Sequence, residues 1–401
     1  MRSKKVDSVR IIAVLIVILG IAYFYLNLFM PRLIPFYCRV GMPAKRMNIL
    51  LMGTDLIYAR GTNKKISEWG RTDTLILVSI NPVGGKIDLL SIPRDTLSEI
   101  PGYGRMKINA AHFLGGPELA KQTVTNFLGG IPIDRYVLVH PSGVIQLIDV
   151  LGGIRIYVDK DMYYVDNSQD LFVDLKKGWH TLSGKEANGY LRFRQDPLGD
   201  INRVQRQQSF IGALFKKLAS PSSIARAPLI LEIVRESVKT DLSLGEILRI
   251  TNLARCLNKD DFKSFLLPGT FSTDPTLPCF WMPNMPEAEK ILQEHFNKPS
   301  SGPMGPAALS DISYVSIYNN TGDERAIIPV LRKLYNTKYV VSNTMMIKRD
   351  DLKSTMIIAQ RGDESAAKSL SNLLKIKDVV VSGTGDVTSD FTIILNEDYR
   401  N

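Results

Sequence analysis

The residues best suited to chemistry in this chain are arginines and aspartates placed where apolar runs end. The run Asn48–Met52 leads into Gly53-Thr54-Asp55, Arg71-Thr72-Asp73 leads into the run Thr74–Ile80, and the run Ile87–Ile92 leads through Pro93 into Arg94-Asp95-Thr96. Asp55 and Asp73 together suit a hard cation such as Mg²⁺, which takes one or two carboxylates alongside phosphate oxygens. Arg71 and Arg94 suit a bidentate grip on phosphate. Strand-end loops of α/β sheets are where such folds put ligands.

A second cluster is denser. Arg192-Phe193-Arg194 is followed by Asp200-Ile201-Asn202-Arg203-Val204-Gln205-Arg206-Gln207. In an extended segment Arg192 and Arg194 face the same side. In a helix Arg203, Arg206 and Gln207 stand at i, i+3 and i+4, on one face near an N-terminus that already favours anions. These guanidinium groups repel one another unless acids or an anion compensate, and a pyrophosphate would do so. The plainer alternative is solvated arginines paired with Asp196 and Asp200. The apolar company of Tyr190, Leu191 and Phe193 weighs against it. Lys107, in Met106-Lys107-Ile108-Asn109, reads by itself as a cation at a helix end. The stretches Gly143–Leu151, Tyr190–Phe193 and Phe210–Leu218 are apolar enough to be core, and also to line a groove for a lipid tail.

Positioning these residues requires an α/β frame. Strands are expected at Asn48–Met52, Thr74–Ile80, Ile87–Ile92, Tyr136–Val139, Ile154–Val158 and Phe262–Leu267. Helices are expected over 107–128 with a break at Gly115-Gly116-Pro117, over 143–151, over 201–218 with Asp200 as N-cap, and within 229–257. The alternation predicts a layered α-β-α domain over 47–295, its central sheet covered by helices on both faces. Residues 296–312, rich in Pro and Gly, read as a linker. A small α/β unit over 313–401 follows, with no catalytic constellation. It is expected to bind polymer or a partner and to be dispensable for chemistry.

The N-terminus sets the compartment. Ile11 to Met30 carries no charged residue, and twenty helical residues span about 30 Å, a bilayer core. Arg2, Lys4, Lys5 and Arg10 precede it, which predicts an uncleaved signal-anchor helix at 11–30, residues 1–10 in the cytoplasm and everything beyond outside it. The formal net charge is +10, and Arg32, Arg39, Lys45 and Arg46 add to the basic excess around that segment. Charge concentrated there argues for a membrane surface and against nucleic acid. With 45% hydrophobic and 22% charged residues, the composition is that of a folded protein. HExxH, G-x-S-x-G and CxxC motifs are absent, and Gly178–Glu186 has the wrong spacing for a P-loop, with Glu186 where Ser or Thr belongs. Cys256 and Cys279 are able to pair in an oxidising compartment, and separate buried thiols are an equal alternative.

Taken together, Asn48–Asp55, Arg71–Thr74, Ser91–Thr96, Lys107–Ala111, Asp149–Gly153 and the series from Arg192 to Gln207 resemble the LytR–CpsA–Psr family in order and spacing. Residues 313–396, opening on Val315–Gly322, resemble the LytR C-terminal accessory domain. The resemblance implies a membrane-anchored phosphotransferase that moves a glycopolymer from a polyprenyl-pyrophosphate carrier in the membrane to peptidoglycan, typically the 6-hydroxyl of muramic acid. It implies Asp55 and Asp73 near Mg²⁺, or Mn²⁺ in its place, with Asp55, Asp73 and Arg94 catalytic. It implies that Arg94, Arg192, Arg194, Arg203 and Gln207 hold the pyrophosphate, with Lys107 beside them; Arg71 and Arg206 match motif positions. Two departures stand out: a long loop between Asp55 and Asp73, and a short one between Arg194 and Asp200. A carrier-recycling hydrolase would use the same charged residues. A non-enzymatic lipid- or wall-binding module would need the arginines and not the acids.

Overall fold

The computed structural model describes residues 45–399, except 55–56, 59–64, 68–69, 82–84, 167–170, 194–199, 219, 225, 244, 248, 251–252, 254–260, 273–279, 300–303, 306–311, 350 and 353. Some helix positions, Arg203 and Gln207 among them, are described by backbone only. The expected anchor at 11–30, Asp55, Arg194 and all three cysteines lie outside the described residues. Among the described residues no helix is long and apolar enough to cross a membrane.

The first sheet is built from β1 (Met47–Thr54), β2 (Thr72–Asn81), β3 (Lys86–Ser91), β6 (Arg135–Val139), β11 (Val238–Thr240) and β12 (Phe262–Leu266). Its order is β11-β6-β1-β2-β3-β12, antiparallel at β1–β2 and β2–β3 and parallel at β1–β6 and β3–β12. Both faces are covered. Leu50, Met52, Leu75 and Leu77 enter one core, while Ile49, Ile76, Val78 and Ile80 enter another. That period-two division explains why these strands read as almost unbroken apolar runs.

Between β3 and the first helix the chain departs from expectation. The helix expected from Lys107 does not begin there, because residues 104–107 are a strand. They form β5 (Gly104–Lys107), the return arm of a hairpin with β4 (Leu97–Ile100), and α1 (Ala110–Phe127) starts afterwards. Gly102 and Gly104, at φ of 79° and 88°, make the turn that an L-residue would resist. The break at Gly115-Gly116 is present as non-helical backbone inside α1.

A long hairpin then follows α2 (Pro141–Leu151). Its outgoing arm is β7 (Ile154–Val158) and β8 (Met162–Asp166); its returning arm is β9 (Leu171–Leu175) and β10 (Gly178–Leu182). Only the first of these strands was expected. The P-loop-like stretch is the end of β10 and a helix start: Ser183 and Glu186 form a capping box on α3 (Gly184–Arg192). The inward residues of the hairpin share a core with Ile148, Tyr190, Phe193 and Phe210. This part also contains helices α4 (Asp200–Leu218), α5 (Ala227–Ser237) and α6 (Met285–Phe296).

The C-terminal residues contribute β13 (Ser313–Asn319), α7 (Ile328–Leu334), β14 (Tyr339–Met346), β15 (Met356–Ala359), α8 (Glu364–Leu374), β16 (Asp378–Val381) and β17 (Phe391–Leu395). They do not close a sheet of their own. The order is β16-β15-β17-β13-β14-β5-β4, with Val340 of β14 paired to Arg105 of β5. One hydrophobic core runs from Met106 and Ile108 through Val315, Leu334 and Ile393. The C-terminal unit therefore buttresses the hairpin that follows Arg94.

Candidate active site

Backbone pairing creates the charged wall of the site. Gly53 pairs with Thr74, but Thr54 pairs with Thr72, so Asp73 is the extra residue of a β-bulge, a device that re-aims a side chain. A Cβ on Gly53 would sit 3.3 Å from that of Thr74, so the strands meet closely here. Beyond β3, the Ile92 amide donates to Leu75 C=O at 2.9 Å, and Pro93 C=O accepts from the Thr96 amide at 3.0 Å and its hydroxyl at 2.6 Å. This tight turn presents Arg94. The Asn109 backbone ties both segments together: its N–H donates to Arg94 C=O and its C=O accepts from the Thr72 N–H, each at 3.3 Å.

The side chains then form a chain of alternating charge. Arg94 Nη1 lies 2.5 Å from Asp73 Oδ1, Arg94 Nε 3.4 Å from Asp95 Oδ2, and Lys107 Nζ 2.8 Å from Asp95 Oδ1. Asp73 and Arg94 keep 42% and 27% of their side-chain surface exposed, so both remain accessible to a ligand. Asp95 was in view in the sequence only as a neighbour; its role as the acid between two cations needed the hairpin that returns Lys107.

Asp73 and Arg94 open onto a cavity of about 540 Å³. The rest of its lining is largely apolar: Val144 and Leu147 from α2, Leu191 from α3, Phe210 and Leu214 from α4, and Ile233 from α5. The three apolar stretches noted in the sequence thus converge on one cavity. The helices approach closely because of glycine. A Cβ on Gly184 would meet Ile145 O at 2.2 Å, and one on Gly143 would meet Ser237 Cβ at 2.0 Å. Asp149 Oδ1 accepts from the Gly184 amide at 2.8 Å, fixing α3 against α2.

The second arginine cluster divides. Arg192 lines the cavity as the last residue of α3, so the expected extended run through it is helical there. Arg206 does not line the cavity. It is buried at 4% exposure, donates to Phe193 C=O at 2.5 Å and stacks on the Phe193 ring at 5.5 Å. Its guanidinium thereby holds the chain directly after Arg192. Arg203 and Gln207 occupy α4 near its start. Arg71 also stands outside the cavity, its guanidinium donating to the Thr344 hydroxyl of β14. Burial pushes the pKa of the Tyr190 hydroxyl, on the inner face of α3, up to about 12.

The cavity has polar groups that sequence reasoning passed over. Tyr164 and Asp166 come from β8 and Asn188 from α3. Asn188 is four residues before Arg192, a helical spacing that would have placed the two on one face. Behind the charged wall, His112 is fully buried and its Nδ1 lies 2.8 Å from Gly70 C=O, next to Arg71. Burial holds its pKa below the ordinary 6.5.

Among the described residues no group of three or more His, Cys, Asp or Glu is placed to hold a metal. Asp73 offers an accessible hard oxygen donor beside the cavity, which fits the sparse protein ligation of Mg²⁺.

The LytR_cpsA_psr family model matches residues 39–296. Regulatory protein MsrR of Staphylococcus aureus (strain COL) is 37% identical over 214 residues, covering 53% of this chain and 64% of MsrR. TagV of Bacillus subtilis (strain 168), a polyisoprenyl-teichoic acid–peptidoglycan teichoic acid transferase, is 34% identical over 269 residues, covering 64% of this chain and 66% of TagV. The chain thus spans just under two thirds of each of these relatives. The crystal structure of B. subtilis TagV matches with a TM-score of 0.54 and 32% identity over 64% of this chain and all of that one. TagT bound to LI-WTA matches with a TM-score of 0.51 and 26% identity, over 64% of this chain and 91% of that one.

Proposed function

Starting from the fact that this chain belongs to the LytR_cpsA_psr family, we propose that it is a phosphotransferase that moves a glycopolymer from a polyprenyl-pyrophosphate carrier to peptidoglycan. The observation that carries the reading is one cavity of about 540 Å³ joining an apolar lining to the Arg94–Asp73 pair. An amphiphile with a long hydrocarbon chain and a diphosphate fits both parts. The named activity of TagV supports the same reaction class.

Phosphoryl transfer asks a protein mainly to position reactants and neutralise charge. Leu147, Leu191, Leu214 and Ile233 would take the isoprenoid chain. Arg94 and Arg192, with Arg194, Arg203 and Gln207 from the motif, would hold the diphosphate. Arg206 would act through Phe193 by fixing the end of α3. Lys107 would act through Asp95, keeping Arg94 oriented. Arg71 would brace the segment before Asp73 against β14. An acceptor hydroxyl attacks the phosphorus that carries the glycan. The bond from that phosphorus to the bridging oxygen breaks, polyprenyl phosphate leaves, and an aspartate, Asp73 or Asp55, takes the hydroxyl proton. Asp73, with Asp55, would hold Mg²⁺ or Mn²⁺, which when bound would neutralise diphosphate charge. The segment at 11–30 would anchor the protein in the cytoplasmic membrane as a single span with the site outside, where effective concentration favours a bilayer-bound substrate.

The test is product analysis. Protein, a synthetic polyprenyl-pyrophosphate glycan, peptidoglycan oligomers and Mg²⁺ are combined, and products are read by mass spectrometry. A phosphodiester-linked glycan–peptidoglycan adduct is the expected result. Free glycan phosphate alone would make the protein a hydrolase. Tight carrier binding without turnover would make it a binding module, the reading closest to the name of MsrR.

A further inference from the structure

The long hairpin carries two opposite faces. Inward, Tyr164, Asp166 and Leu171 line the cavity. Outward, the alternate residues include Tyr157, Tyr163, Val165, Phe172 and Trp179, 44–65% exposed, together with the polar Arg155, Asp174 and Thr181. Surfaces that put a tryptophan, two tyrosines, a phenylalanine and a valine together in solvent mark an interaction site. Period-two alternation places them there: the same strands that bury Ile156, Val158, Met162 and Val173 must turn their partners outward.

We infer that this outer face is a membrane-contact surface, which seats the wall of the cavity against the lipid leaflet that supplies its substrate. Three observations favour a bilayer over a sugar polymer. The ring pairs are edge-on, Tyr157–Trp179 at 64° and Tyr163–Phe172 at 87°, so they do not present the flat platform that stacks a pyranose. The Arg155 guanidinium covers the Trp179 ring at 5.0 Å, leaving a cation beside an amphipathic aromatic, the pairing suited to phosphate headgroups. Phe172 and Val165 are paired across the strands and have no polar group to offer a sugar. In Met162–Asp166 and Leu171–Leu175 the same strands carry cavity-lining residues on one side and this outer face on the other. The inference rests on the proposed lipid-linked substrate for its purpose and on the hairpin alone for its existence.

The experiment uses the full chain reconstituted into phosphatidylcholine–phosphatidylglycerol vesicles, with and without brominated acyl chains. The Trp179 contribution is the difference between wild type and Trp179→Phe, which leaves Trp69 and Trp281 in place. The expected result is that brominated lipid quenches this component and vesicles shield it from acrylamide. A Trp179 component that stays open to acrylamide and blind to brominated lipid would overturn the inference, wherever residues 11–30 reside. Shielding by soluble peptidoglycan fragments in its place would assign the face to glycan. In a second arm, Tyr157→Ser, Phe172→Ser and Trp179→Ser are combined and folding is checked by circular dichroism. KM for vesicle-embedded carrier should rise about tenfold, and KM for a water-soluble short-chain carrier should stay put. An equal change in both would overturn the membrane role. Wild-type protein inactive on both carriers would sink the transferase reading and leave the quenching result standing.

Discussion

Arg94 grips Asp73 across a β-bulge, Nη1 to Oδ1 at 2.5 Å, and both side chains face the same cavity. The bulge supplies one end of the pair and the Pro93 turn the other, so neither side chain needs to stretch to reach. An ion pair this exposed contributes little to stability. Its value is that it holds an acid and a cation ready on one wall.

Arg94→Ala and Asp73→Asn should therefore each lower kcat for transfer by about 10²–10³-fold, the usual loss when one preorganised charge contact is removed. Arg94→Lys should recover little, because a single ammonium cannot span a diphosphate and Asp73 together. Thermal unfolding of all three should stay close to wild type, which separates a catalytic loss from a folding one.

Filling the apolar part of the cavity should act on the chain and not on the phosphates. Val144→Phe narrows the lining contributed by α2. Its KM for a long-chain carrier should rise about tenfold or more, with little change for a carrier whose chain is a few carbons long. Steady-state kinetics on the two carriers checks this.

The contact of α2 with α3 leaves no room for a methyl group at Gly184, because Ile145 O stands 2.2 Å from where its Cβ would be. Gly184→Ala should cost about 1–3 kcal/mol by overpacking, read by chemical denaturation. It should also weaken carrier binding, since Leu147 and Leu191 ride on those two helices.

Acid should destabilise the protein through His112. Burial lowers its pKa below 6.5, so between the folded value and 6.5 the unfolded chain binds the extra proton. The stability this neutral histidine carries is complete above 6.5 and is lost as pH falls through that window. His112→Asn keeps a donor for Gly70 C=O and removes the titration. Its melting temperature should fall less steeply than that of wild type between pH 7 and 5.

Removing residues 313–401 should not yield a working enzyme, contrary to what the sequence suggested. Gly104 packs against the Leu334 backbone, Arg332 stacks on Tyr103 at 5.8 Å, and β14 extends the sheet of β5. Without them the hairpin that returns Lys107 to Asp95 loses its support. The truncated chain should melt broadly and at a lower temperature, and lose transfer together with its fold.

How much of this was legible follows a physical line. The strands of the first sheet were readable because both faces are buried, which turns Thr74–Ile80 and Ile87–Ile92 into long apolar runs. The convergence of Asp73 and Arg94 was readable because each follows or precedes such a run. The strands Met162–Asp166, Leu171–Leu175 and Gly178–Leu182 were missed because outward residues such as Tyr163, Val165, Phe172 and Trp179 are apolar, which blurs the alternation of apolar and polar. The strand Gly104–Lys107 was missed because its partners come from Leu97–Ile100 and from a segment more than two hundred residues away. Arg206 matched the motif spacing, but the sequence could not tell a side chain turned to the Phe193 carbonyl from one turned to substrate.

In the proposed reaction one cavity receives the isoprenoid chain while Arg94 meets the diphosphate. Photo-crosslinking tests it directly, with an isoprenyl pyrophosphate carrying a diazirine on its chain and peptide mapping of the adducts. Adducts are expected on the peptides bearing Leu147, Leu191 and Leu214, reduced when Arg94 is replaced by Ala. Adducts confined to other surfaces, or unchanged in Arg94→Ala, would contradict it.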